Sequence, residues 1–93
     1  MKTLAALAIS LGLLASSSAI AAERTVTLAV QNMFCAACPY TVRSSLKAVP
    51  GVSHVTVSLQ DKTAVVTYDD ARTSVKALTA ATTNAGYPSA PKG

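Results

Sequence analysis

Cysteine, histidine and aromatic residues are scarce in this chain. Of 93 residues two are cysteine, one is histidine, four are aromatic and none is tryptophan. The two cysteines, Cys35 and Cys38, stand together. That excludes a secreted mini-protein stapled by several bridges, which spreads its cysteines to close large loops. The one bridge available closes a four-residue ring and constrains the unfolded chain very little. His54 is the only nitrogen donor to add, so one copy cannot build a closed tetrahedral zinc site, which needs four donors. The eight basic residues outnumber the four acidic ones, for a net charge of +4. They are scattered, with no basic run and few interleaved aromatics, so no nucleic-acid partner is expected. No internal repeat or low-complexity linker is found.

The one long apolar run lies at the start. Lys2 is followed by Leu4 to Leu14, broken only by Ser10 and Gly12, and then by the small residues Ala15 to Ser18. Ala19 and Ala21 occupy the −3 and −1 positions of a cleavage site after Ala21. This is the layout of a secretory signal peptide, and the run is shorter than the ~20 residues of a membrane span. Residues 1–21 are expected to be removed on export, leaving a 72-residue domain, Ala22 to Gly93, of net charge +3. No stable membrane insertion is expected afterwards. A domain of this size buries only about 60% of its unfolded surface and has no room for a deep catalytic cleft.

Within it, Thr25 to Val30 alternates, with Val26, Leu28 and Val30 on one face of a strand. Gln31 to Phe34 reads as a loop. Pro39 suits the first turn of a helix, along which Val42, Leu46 and Val49 recur until Pro50-Gly51 stops it. Val55, Val57 and Leu59 alternate as a second strand. Gln60-Asp61-Lys62 turns into a third, Thr63 to Tyr68, with Ala64, Val66 and Tyr68 on one face. Asp69 to Thr73 offers caps for a second helix carrying Val75, Leu78, Ala81 and Ala85, closed by Gly86. Tyr87 to Ala90 is then a short edge strand, since Pro88 and Pro91 lack ladder donors. The order β-α-β-β-α-β favours an α+β fold, one four-stranded antiparallel sheet with both helices on one face. Thr25, Thr27, Thr56, Ser58 and Thr67 form the open, polar face.

Chemistry concentrates in Met33-Phe34-Cys35-Ala36-Ala37-Cys38-Pro39. Cysteines at i and i+3, on a loop entering a helix, turn both sulfurs toward one point. The helix N-terminus brings partial positive charge and unpaired N–H donors, which favour thiolate over thiol. Thiolates prefer soft cations. Two donors in a nearly straight arrangement suit Hg(II) and Cu(I), and a two-coordinate ion stays open to a third thiolate. A carrier needs that, because its ion passes on without being released free.

Asn32-Met33-Phe34-Cys35-Ala36-Ala37-Cys38-Pro39, with Ala85-Gly86-Tyr87-Pro88 toward the C-terminus, resembles the heavy-metal-associated domain family. The likeness runs from about Thr25 to Pro88 and is strongest to the family's periplasmic mercuric ion-binding branch. The resemblance implies a ferredoxin-like βαββαβ fold, Hg(II) held by Cys35 and Cys38, and a monomeric carrier that delivers the ion to cysteines of an inner-membrane mercuric transporter. Zn(II) and Cu(I) are expected only as ions taken up in vitro. Two positions depart from the family's usual Gly-Met-Thr before the first cysteine. Asn32 keeps a left-handed loop, as the next-best residue after glycine. Phe34 replaces a small hydroxyl residue and shields or crowds the site. Copper chaperones of the family tend to carry Lys where this chain has Tyr87, so Tyr87 favours mercury.

Other readings of the same residues are weaker. Thiol–disulfide exchange in a thioredoxin-like enzyme needs a longer chain with a βαβ unit ahead of further strands. A Cu(I) chaperone shares the donor set. Met33 serves as core filler in preference to a thioether ligand. His54 falls on the solvent side of its strand. Tyr87 either tunes the cysteines or simply starts a strand. Tyr40 and Arg43 are solvated surface or a docking contact.

Overall fold

The computed structural model describes residues 22–92; the cleavage site expected after Ala21 lies outside them. Four strands and two helices follow in the expected order: β1 (Glu23–Val30), α1 (Cys38–Lys47), β2 (Val52–Ser58), β3 (Thr63–Asp69), α2 (Val75–Asn84) and β4 (Ser89–Pro91). The sheet runs β2-β3-β1-β4 with every neighbour antiparallel. This is the ferredoxin-like arrangement.

Register explains the core. Val26 pairs with Val66 and Leu28 with Ala64, while Val55 and Val57 meet Val66 and Ala64 from the other side. A period of two then places all of these on one face, where α1 contributes Val42 and Leu46 and α2 contributes Leu78. Leu28, Val42, Leu46, Ala64, Val66 and Leu78 are fully buried. Across the sheet, Thr25 and Thr67 share a hydroxyl contact of 3.2 Å on the open face.

Several boundaries differ from the expected ones. Strand β2 begins at Val52, because the ladder shifts register between Val52 and His54. The bulge puts two consecutive outward positions in the strand and interrupts the alternation that marks it. Strand β1 begins at Glu23, where two charged residues hide the pattern. Strand β4 is displaced to Ser89–Pro91. Lys92 N–H donates inward to Thr27 O at 2.8 Å, so by alternation Pro91 stands where an N–H would face outward. The cap of α2 is Ser74, whose hydroxyl accepts from Ala77 N–H, rather than a residue of Asp69 to Thr73. Asp69 instead caps its own turn, accepting from Ala71 N–H at 2.9 Å. Thr82, not Ala85, fills the last buried position of α2, which ends one residue before Ala85.

Helix α2 stops as expected. Gly86 has φ +99°, Tyr87 N–H reaches back to Thr82 O at 2.8 Å and Gly86 N–H to Thr83 O at 2.9 Å. That paired arrangement satisfies two of the last carbonyls and turns the chain toward β4. No helix among the described residues is long and apolar enough to cross a membrane.

Candidate metal centre

Strand β1 ends at Val30 and hands the chain to a loop, Gln31–Ala37, which delivers it to α1. Two bonds fasten the loop's base. Gln31 N–H donates to Pro88 O at 2.8 Å, and Asn32 Nδ2 donates to Gly86 O at 3.2 Å. Asn32 is left-handed, φ +69°, a conformation worth about 1–2 kcal/mol of strain in most residues and tolerated best by Gly, Asn and Asp. Phe34 N–H then folds back onto Asn32 O at 3.1 Å. Met33 between them is fully buried in the core and pins the loop from below. It serves as packing, as its neighbours suggested.

Cys35 and Cys38 lie with Cα atoms 5.2 Å apart and are joined as a disulfide, so the structure is that of the oxidised pair. Their environments are unequal. Cys38 is 5% exposed and belongs to the core cluster, whereas Cys35 stands in solvent. Ala36 and Ala37 are exposed and leave the approach to Cys35 open.

Electrostatics at the helix mouth differ in one respect from expectation. The first-turn donors are largely used, Cys38 N–H by Cys35 O at 3.1 Å and Tyr40 N–H by Ala37 O at 3.1 Å, while Pro39 has none to give. The N–H that reaches a sulfur is that of Cys35, donated to Cys38 Sγ at 3.3 Å. The aligned dipoles of α1 remain, and no acidic residue in its first turn opposes them. What faces the sulfur pair at the helix mouth is therefore one local N–H donor and the macrodipole.

Phe34 is 80% exposed, its ring turned largely to solvent. Its ring lies 5.6 Å from Lys62 Nζ, at the edge of cation–π reach. Lys62, in the β2–β3 turn, takes φ +58°. Nothing in the local sequence marks it as a neighbour of Phe34, since the β1–β3 pairing brings the two together. Tyr40 is also exposed, Tyr87 is half-buried against the core, and His54 faces solvent. Among the described residues no group of three or more Cys, His, Asp and Glu is placed to hold an ion. A cavity of about 370 Å³, lined by Glu23, Gly51, Val52, Ser53, Asp69 and Arg72, opens at the opposite end of β1.

The ferredoxin-like fold, with a cysteine pair at the entry to α1, places the chain among small metal-binding domains. Residues 27–88 match the heavy-metal-associated domain family, and the chain belongs to that family. It is similar to the mercuric transport protein periplasmic component of Shewanella putrefaciens, 56% identical over 89 residues and 96% of each chain. Among solved structures, oxidised MerP from Ralstonia metallidurans CH34 superposes with a TM-score of 0.76 at 54% identity, over 77% of this chain and all of that one. The mercury-bound form of MerP, the periplasmic protein of the bacterial mercury detoxification system, gives 0.69 at 56% identity over the same shares.

Proposed function

We propose that this protein is a non-enzymatic, monomeric periplasmic carrier of Hg(II), held between the thiolates of Cys35 and Cys38 and passed to cysteines of an inner-membrane mercuric transporter. Export removes residues 1–21. One observation supports the reading above the rest: two sulfurs at a single point, one buried and one in solvent, in a chain more than half identical to proteins named for mercuric transport.

The chemistry follows from the donor set. A dithiol reductant, itself oxidised to a disulfide by thiol–disulfide exchange, passes two electrons and two protons to the Cys35–Cys38 bridge and frees both sulfurs. An incoming Hg(II) displaces whatever protons they hold. Two soft donors satisfy the ion's preference for a nearly linear pair. A partner's thiolate adds as a third ligand, Cys35 leaves first because it is solvated, and Cys38 follows as a second partner sulfur binds. Each departing thiolate takes a proton from solvent while each incoming thiol loses one, so charge balances and no redox step is involved. Small alanines at 36 and 37 keep the line of attack clear.

Competition of Hg(II), Cu(I) and Zn(II) for the reduced protein tests this. A 1:1 Hg(II) complex that survives equimolar Cu(I) and Zn(II), and that disappears in Cys35→Ser and Cys38→Ser, is expected. Preference for Cu(I) would make it a copper chaperone, and rapid disulfide reductase activity without tight metal binding would make it an oxidoreductase.

A further inference from the structure

We propose that Asn32 is a positioning residue for ion transfer: its side-chain amide ties the cysteine loop to the Gly86–Tyr87 turn and so slows the movement of Cys35 that releases the ion. The inference rests on the carrier reading above.

Asn32 does three things at once. Its backbone takes the left-handed turn, φ +69°, its carbonyl accepts Phe34 N–H at 3.1 Å, and its Nδ2 donates to Gly86 O at 3.2 Å. The first two shape the loop locally. The third joins segments 54 residues apart. Gly86 is itself fixed, with its N–H on Thr83 O and the following Tyr87 N–H on Thr82 O, so the amide binds to a rigid carbonyl at the end of α2. Three residues beyond Asn32 the chain reaches Cys35, whose side chain is exposed and whose bonds all run to Cys38: the disulfide, its own N–H to Cys38 Sγ and Cys38 N–H to its carbonyl.

Handing an ion to an incoming thiolate requires Cys35 to withdraw while Cys38, in the core, stays. The loop must open for that. A cross-loop hydrogen bond lowers the open population, and opening equilibria of this kind set local exchange rates. One such bond has a net worth that corresponds to roughly a three- to ten-fold change in that population.

Two substitutions separate the tether from the turn. Asn32→Gly accepts the left-handed backbone and removes only the amide. Asn32→Asp retains a side chain tolerant of that backbone, but its carboxylate cannot donate to Gly86 O. The full chain is expressed in an exporting host, isolated from the periplasm, reduced and loaded with one equivalent of Hg(II). Transfer to dithiothreitol is followed by stopped flow. Both variants are expected to keep 1:1 binding and a cooperative melt a few degrees below that of the parent, and to transfer roughly three- to ten-fold faster. Parental rates in both would overturn the proposal. A fast Asn32→Gly beside a parental Asn32→Asp would also overturn it, by assigning the effect to glycine's flexibility. Should the parent protein take no Hg(II), the carrier reading fails by itself. Hydrogen exchange then decides the tether, because Phe34 N–H loses protection in both variants if the amide holds the loop and keeps it if not.

Discussion

Cys35 N–H donates to Cys38 Sγ across 3.3 Å, yet the two residues belong to opposite environments, Cys38 at 5% exposure in the core and Cys35 in solvent. In the reduced protein, replacing the two sulfurs by hydroxyls therefore has unequal effects on stability. Cys38→Ser buries a hydroxyl among Met33, Val42 and their neighbours and is expected to cost about 1–3 kcal/mol. Cys35→Ser, at the surface, should stay within about 0.5 kcal/mol of the parent. Urea denaturation under reducing conditions measures both. Equal losses would mean that Cys38 is not part of the core.

Thr82 is fully buried on α2, its hydroxyl 2.6 Å from Ser89 Oγ on β4 and donating to Thr79 O at 3.1 Å. Thr82→Val keeps the shape and leaves Ser89 without its partner. A loss of about 1–2 kcal/mol is expected in denaturant midpoints, and a double variant with Ser89→Ala should recover part of it.

The glycines at 51 and 86 have nearly the same backbone, φ +101° and +99°, and differ in what surrounds them. A Cβ at Gly51 would meet Arg72 Cβ at 2.9 Å and Thr73 Cγ2 at 3.2 Å, whereas one at Gly86 meets nothing within 4 Å. Gly86→Ala is expected to cost about 1–2 kcal/mol from backbone strain alone. Gly51→Ala should cost clearly more, because the Cβ contacts add to it. Thermal melts of the two variants side by side give the ranking.

Asp70 is the acidic group most perturbed by its surroundings. The Arg24 guanidinium, 2.7 Å away, and after it the Ala22 N–H hold its carboxyl below the ordinary carboxylate range. The folded state thus binds a proton at Asp70 more weakly than the unfolded chain does. Stability from this contact is complete above the unfolded pKa of about 3.9 and fades as pH falls through the lower folded value. Both groups are solvated, so the effect is small and sensitive to salt. Asp70→Asn should lower the melting temperature slightly at pH 7 and low salt. Below that acidic window, or in 1 M salt, variant and parent should coincide. A difference that persists in 1 M salt would point to packing instead of charge.

Much of the fold was legible from periodicity. The period-two runs around Leu28, Val55 and Val66 and the helical spacing of Val42 with Leu46 each name a buried face, and all are buried as expected. Prolines and glycines at 39, 50, 51 and 86 marked the element ends. Patterns failed where the backbone departs from regular geometry or where a polar group enters the core. The bulge between Val52 and His54 hid the start of β2, and Thr82 stands outside the apolar helical pattern because only a partner on β4 makes its burial tolerable. At the site, the sequence named the two cysteines, the left-handed bend at Asn32 and the packing role of Met33. It overestimated free N–H donors at the helix mouth, since carbonyls of the same turn claim them.

The amino-acid order determined which residues alternate, where helices start and stop, and that two sulfurs sit three positions apart ahead of a proline. These are local properties, set by neighbours within a turn or a pleat. Only the tertiary structure decided that Cys38 is buried and Cys35 is not, that Asn32 reaches Gly86, and that Arg24 meets Asp70. Those partners are brought together by sheet register and helix docking across 46 to 54 residues, and no local pattern encodes a distance of that kind.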